Sequence, residues 1–318
     1  MDVLGIDVSK ADFHACLIQG AKRSKKSFPN SSAGYRQVRS WLKNRQSGKV
    51  HACMEATGAY WMGLATALYD AGIVVSVVNP NRTVMFARSQ LRRTKTDQVD
   101  AEIIAEFCKT QKPTSWSPPP QEILELRGLL SYRDHLVREK LRLTQVASQV
   151  YVSKELQRLH VKQLKTHEQT IAALERELRS FLKTHGSLAK SVESLTSVSG
   201  IGFLTAVAIV AKLPVDRLRN GKAAAAYIGV TPSERQSGTS VHGKPRICKT
   251  GNASLRRDLY MPSSVAMRFN PVLKPFAERL KAAGKPAKVI LIAVMRKLIV
   301  LAFLILKRGL TPADAQAT

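Results

Sequence analysis

Along residues 1–115, apolar positions switch between the two-residue period of strands and the longer period of helices. Val3-Leu4-Gly5-Ile6-Asp7-Val8 is a short apolar run, and Phe13–Gln19 and Lys25–Phe28 follow at hairpin spacing. Ser31 or Ser32 can cap a helix whose inner face is Tyr35, Val38, Trp41 and Leu42. Val50–Met54 reads as a second buried strand ending at Glu55, then a helix over about Tyr60–Ala71 stops at Gly72. The β-branched run Ile73–Val78 closes at Asn79-Pro80, a basic stretch follows, and Asp97–Lys109 returns to helical spacing. Three hairpin-linked strands, then helix, strand, helix, strand and helix, is the element order of a ribonuclease-H-like α/β domain.

Pro118-Pro119-Pro120 ends this part, and no proline recurs until Pro214. Helix formers dominate the gap. Within it Leu164, Ile171 and Leu178 recur every seven residues, with His167, Leu174 and Phe181 offset by three. That seam fits a coiled coil, and it equally fits one amphipathic helix packed on its own domain. Beyond residue 190, Leu195–Gly202 followed by apolar Phe203–Ala211 reads as helix, glycine hairpin, helix. There Gly200 and Gly202 would let backbone N–H groups approach a phosphate, or simply make a tight turn. Ala223–Val230, a Gly/Ser/Thr/Lys-rich loop over Thr231–Asn252 and two further helices complete the chain. The expected divisions are 1–117, 118–189 and 190–318.

Composition adds a partner. The 318 residues carry a net charge of +27, about one unbalanced positive charge per twelve residues, which calls for a polyanion. An apolar content of 44% excludes a disordered basic tail. Four scattered cysteines without a CxxC pair signal neither zinc nor disulfides. Asp7, Lys10 and Asp12 interrupt any secretory layout in the first eighteen residues. The run Val289–Leu306 is long enough to span a membrane, but Arg296 and Lys297 at its centre would each cost ~2.5–3.5 kcal/mol there. It reads as a buried helix, and the protein as cytoplasmic, nucleoid-associated and free of membrane.

Nucleic-acid chemistry directs attention to carboxylates, because Mg²⁺ prefers oxygen ligands and a pair of such ions activates one oxygen while stabilising another. Asp7 sits among apolar neighbours, where an unpaired charge is costly. Glu55 ends the neighbouring strand, and Asp97 and Asp100, three apart on a helix, share a face. Strand-end acids also cap loops, and Asp97 also suits a helix start. Arg88, Arg92, Arg93 and Lys95 precede the second acid pair; Lys244, Arg246, Lys249, Arg256 and Arg257 occur further on. They can clamp phosphates or simply be solvated. With 6% aromatic residues, a long base-stacking platform is not expected.

Six blocks then occur in order: Gly5-Ile6-Asp7-Val8-Ser9-Lys10; Met54-Glu55-Ala56-Thr57-Gly58 with Val78-Asn79-Pro80; Lys95-Thr96-Asp97-Gln98-Val99-Asp100-Ala101; Ser199-Gly200-Ile201-Gly202; Tyr227-Ile228-Gly229-Val230-Thr231-Pro232 with Gln236-Ser237-Gly238; and Lys249-Thr250-Gly251-Asn252 with Leu255-Arg256-Arg257. Together with the run Lys288–Leu298 that ends the likeness, they closely resemble the DEDD transposases of bacterial insertion sequences, the group that includes the pilin-gene inverting recombinases. The resemblance implies a RuvC-like N-terminal domain whose acids, here Asp7, Glu55, Asp97 and Asp100, bind Mg²⁺ or Mn²⁺. It also implies a helical C-terminal transposase domain, with a helix-hairpin-helix-like segment and a serine nucleophile that falls on Ser237. On residue chemistry alone, Ser237 reads as a turn serine before a nucleophile, and nearby His242 as a solvated histidine before a base. The resemblance further implies DNA ends and target as substrates, a structured bridge RNA as guide, and a dimer or tetramer. Two rivals stand beside it: a RuvC-like junction nuclease using metal-activated water, and a non-catalytic architectural protein.

Overall fold

The computed structural model describes residues 1–91, 96–147, 153–237 and 241–309. Its N-terminal unit, Met1–Pro119, is built on five strands: β1 (Asp2–Val8), β2 (Asp12–Gln19), β3 (Lys22–Pro29), β4 (Val50–Glu55) and β5 (Val74–Val78). Their order is β3-β2-β1-β4-β5, antiparallel across the first three and parallel from β1 to β4 to β5. This is the ribonuclease-H-like order that the sequence predicts. Both faces are covered. Leu4 and Ile6 join Phe13, Met54 and the inner residues of α1 (Ser32–Asn44) and α2 (Trp61–Asp70), including Val38, Trp41, Leu64 and Leu68. Ser31 caps α1 by accepting from the Gly34 N–H, as a serine before an amphipathic run should.

The opposite face holds α4 (Asp97–Gln111), whose Ala101, Ile104, Ala105, Phe107 and Cys108 pack against Val3, Cys16, Ile18, Cys53 and Val78. A row of small residues crosses the sheet beneath it: Gly5 pairs with Cys16 on β2 and with Cys53 on β4, which pairs with Ser76 on β5. At Gly5 the approach is so close that a Cβ would stand 2.2 Å from the Ala101 oxygen and the Ala105 nitrogen. Ion pairs from β3 reinforce the seat, with Lys25 and Arg23 at 2.6 and 3.0 Å from Glu102. The stretch read from sequence only as basic begins as a helix, α3 (Pro80–Ser89), with Asn79 as cap and Pro80 at its first turn.

The described residues of the second unit, Pro120–Thr318, are helical apart from one hairpin. α5 (Gln121–Ala147) and α6 (Lys154–Thr184) run antiparallel, tied by Lys140–Glu168 at 2.8 Å and Arg133–Glu175 at 2.6 Å. Of the heptad positions, Leu178 is fully buried and Leu164, Ile171, Leu174 and Phe181 are half-buried. Leu126, Leu130, Leu178 and Leu182 share one core with the C-terminal helices. Those are α7 (Gly186–Thr196), α8 (Phe203–Lys212), α9 (Gly221–Tyr227), α10 (Ala253–Asp258), α11 (Tyr260–Phe269), α12 (Leu273–Ala282) and α13 (Ala287–Arg308). Among the described residues four helices, rather than the two expected, follow residue 252. Thr231–Asn252 is not a plain loop either: β6 (Pro232–Ser237) pairs antiparallel with β7 (Val241–Ile247). α13 is apolar and long enough to cross a membrane, yet Val294, Leu298, Ile299, Ala302 and Phe303 are buried in this core against α7, α9, α11 and α12.

Candidate active site

Asp7 is the penultimate residue of β1, opposite His14 of β2. The parallel register pairs Ile6 with Met54, so the next residues along, Asp7 and Glu55, stand side by side at the carboxyl ends of β1 and β4. Thr96 caps α4 by accepting from the Val99 N–H, which places Asp97 and Asp100 in its first turn. Because α4 is seated on Gly5, two residues before Asp7, that turn reaches the same edge of the sheet.

Electrostatics record the convergence. The Asp7 carboxyl is raised from its ordinary 3.8 to about 6, by burial first and then by the charges of Asp100, Glu55 and Asp97, in that order, against a smaller opposing effect of His14. Three carboxylates are therefore close enough to Asp7 to disfavour its ionisation. The donor set is oxygen-only and mutually repulsive, which suits a hard divalent cation. Among the described residues, no three His, Cys, Asp or Glu side chains are drawn together tightly enough to enclose an ion.

Two residues that sequence reading passed over support the acids. The Thr83 hydroxyl of α3, 2% exposed, donates to Glu55. His14 Nε2 lies 3.6 Å from Asp97 Oδ2, while its buried Nδ1 has no hydrogen-bond partner. The hairpin register facing His14 towards Asp7 was the available signal for the histidine. For Thr83 the signal was the Asn-Pro helix start, hidden by the arginines around it.

Ser237 ends β6, opposite Val241. The side chains of Ser237, His242 and Lys244 lie outside the described set, as do Arg92, Arg93 and Lys95 altogether. The remaining basic residues divide. Arg256 Nη1 donates to the Ile228 and Lys249 carbonyls at 2.7 and 3.3 Å, holding the turn where Gly229 has φ of 75°. Arg257 Nη2 bonds Asp134 and Asp258 at 2.6 and 2.9 Å. Arg246 and Lys249 instead line a cavity of about 670 Å³. Gly200, with φ of 106°, faces Ala266 of α11, whose Cβ a substituent would meet at 2.7 Å. Close helix packing thus accounts for this glycine. Gly202 caps α8 with open space around it.

Residues 4–152 match a family model described as a DEDD transposase of IS110 elements, and residues 192–278 match one described as the IS116/IS110/IS902 transposase family. The pilin gene-inverting protein of Moraxella lacunata is 30% identical over 313 residues, spanning 96% of each chain. The transposase for insertion sequence element IS1111A of Coxiella burnetii is 23% identical over 80% of this chain and 74% of its own. Thermus thermophilus RuvC, solved in complex with a Holliday junction substrate, covers 36% of this chain and 99% of its own, at a TM-score of 0.29 and 13% identity. Likeness to an inverting protein along nearly the full length of both sequences, with both halves matching one group of transposases, means that this chain belongs to the IS110 transposase family and is a transposase/site-specific recombinase.

Proposed function

We propose that this enzyme excises and inserts its own element by an Mg²⁺-dependent reaction passing through a DNA-phosphoserine intermediate, and that a structured bridge RNA directs it to its DNA sites. The observation that carries the reading is the gathering of Asp7, Glu55, Asp97 and Asp100 around one sheet edge, where three charges bear on Asp7. Asp7, Glu55, Asp97 and Asp100 would hold the Mg²⁺ (or Mn²⁺), which when bound supplies positive charge to a phosphate and to an oxygen losing its proton.

The serine hydroxyl loses its proton, its oxygen bonds to phosphorus, and the sugar oxygen leaves with the DNA strand. One ester bond replaces another, so a sugar hydroxyl can later reverse the exchange without ATP. Ser237 is assigned this role by its place in Gln236-Ser237-Gly238. The acids and the serine belong to different units, and a dimer or tetramer would bring two DNA sites together. The +27 charge suits a protein holding DNA and RNA at once in the cytoplasm, beside the nucleoid.

The test is denaturing electrophoresis of labelled DNA after incubation with enzyme, guide RNA and Mg²⁺. A protease-sensitive shifted band is expected for the wild type and for Ser240→Ala. Ser237→Ala and Asp100→Asn should give none while still binding RNA. Cleavage that persists in Ser237→Ala would make water the nucleophile and the protein a junction nuclease.

A further inference from the structure

A cavity of about 670 Å³ opens in the second unit, within the range of about 300–1,000 Å³ usual for small-ligand sites. Its walls come from the base of the β6–β7 hairpin, α12 and α13. Phe276, Val289, Ile292, Ala293 and Val300 make an apolar floor, and Arg246, Lys249, Lys288, Arg296 and Lys297 surround it. Among the described residues, no carboxylate lines the cavity and none of these five cations has an ion-pair partner. The contrast within the unit is clear, since Arg257, Lys212 and Arg133 are all paired with acids. Lys297 Nζ lies 5.5 Å from the centroid of the Phe276 ring, so even there the neighbour is apolar.

Five unpaired cations call for anions, while the floor calls for a flat apolar body between them. A duplex offers phosphates outward and would leave the floor bare. A nucleotide turned out of its stack offers both at once: a base face for the floor and a phosphate on either side for the rim. We infer that this cavity receives one unstacked nucleotide of the strand the enzyme works on or of its guide. The inference rests on the chain acting on nucleic acid, and adds a base-sized subsite to it. The position is apt: Pro232 at the cavity wall and Ser237 are the two ends of β6, about 17 Å apart at the strand rise of ~3.3 Å.

The experiment measures full-length protein binding, by fluorescence anisotropy, to a short oligoadenylate and to an abasic strand with the same phosphates. DNA and RNA versions are both used, and no cleavage is involved, so failure here is separate from failure of the serine chemistry. Ala293→Trp fills the floor without touching a charge. Val289→Glu, at a position of that apolar lining that is 51% exposed and so safe for folding, sets a carboxylate among the cations. Wild type should prefer the base-bearing strand about tenfold, and Ala293→Trp should erase that preference while keeping abasic affinity. Val289→Glu should weaken both strands, and Lys190→Ala, outside the cavity, should leave the preference intact. Whichever of DNA or RNA shows the larger base-dependent difference identifies the strand. Equal binding of base-bearing and abasic strands by wild type, or a preference that survives Ala293→Trp, would overturn the inference.

Discussion

Replacing Asp7 by asparagine should make the N-terminal unit more stable at neutral pH while destroying activity. The folded protein holds the Asp7 proton more tightly than the unfolded chain does, since the carboxyl rises from 3.8 to about 6. Stability contributed by this group is therefore present below pH 3.8 and is lost as pH climbs to about 6. At 1.36 kcal/mol per pKa unit the full loss is about 3 kcal/mol. Asp7 is only partly buried, so solvent screening reduces this to ~1–2 kcal/mol. Asparagine keeps the shape and cannot ionise. In chelator, then, the stability difference between Asp7→Asn and wild type should widen by ~1–2 kcal/mol between pH 4 and pH 7, a relative gain of about 3–8 °C in Tm. Millimolar Mg²⁺ at pH 7 should narrow the gap by stabilising only the wild type, because a cation removes the repulsion that asparagine already lacks. Thermal unfolding followed by circular dichroism reads all of this. A gap that is constant with pH, or that opens in the opposite direction, would refute the electrostatic account of the site.

The glycines give sharper structural tests. Gly5→Ala drives a methyl into the α4 backbone and should cost at least ~3 kcal/mol in urea unfolding, with loss of cleavage because Asp97 and Asp100 shift. Gly200→Ala meets Ala266 in a left-handed conformation and should cost ~2–4 kcal/mol, whereas Gly202→Ala has room and should cost under ~1 kcal/mol, the loss of a favourable cap residue. A drop in DNA affinity for Gly202→Ala without destabilisation would reinstate a phosphate-binding turn there. Light scattering of the nucleic-acid complex should show at least two protomers, and a lone protomer in the active state would refute the proposed assembly.

The N-terminal unit is legible because β1, β2 and β4 are buried on both faces and so read as nearly continuous apolar runs. Asp7 stood out as a charge inside such a run, and the three-residue spacing of Asp97 and Asp100 placed both on one helical face. Where the residues carry other duties, the pattern failed. Arg82 and Arg88 masked α3, although Asn79-Pro80 marks its start. The β6–β7 hairpin reads as a loop because its sequence, rich in serine, glycine and charged residues, lacks the apolar alternation of a strand on a core. The helices after residue 252 merged because Pro271 and Gly284 break them into short lengths. The seam on α6 fits a coiled coil and an amphipathic helix packed in its own domain equally well. Spacing alone did not reveal that α5 lies antiparallel beside it within the same chain.

The seating of α4 on Gly5 also orders events during synthesis. Asp7 and Glu55 can come together as soon as β1 and β4 pair, but the other two acids arrive more than forty residues later, on a helix that must lie back across the first strand made. A ribosome-bound chain released before that point carries half a quartet and nothing to complete it. The acid quartet is then completed in a single late step, when a helix meets a glycine, and the proposed nucleophile follows more than a hundred residues later still.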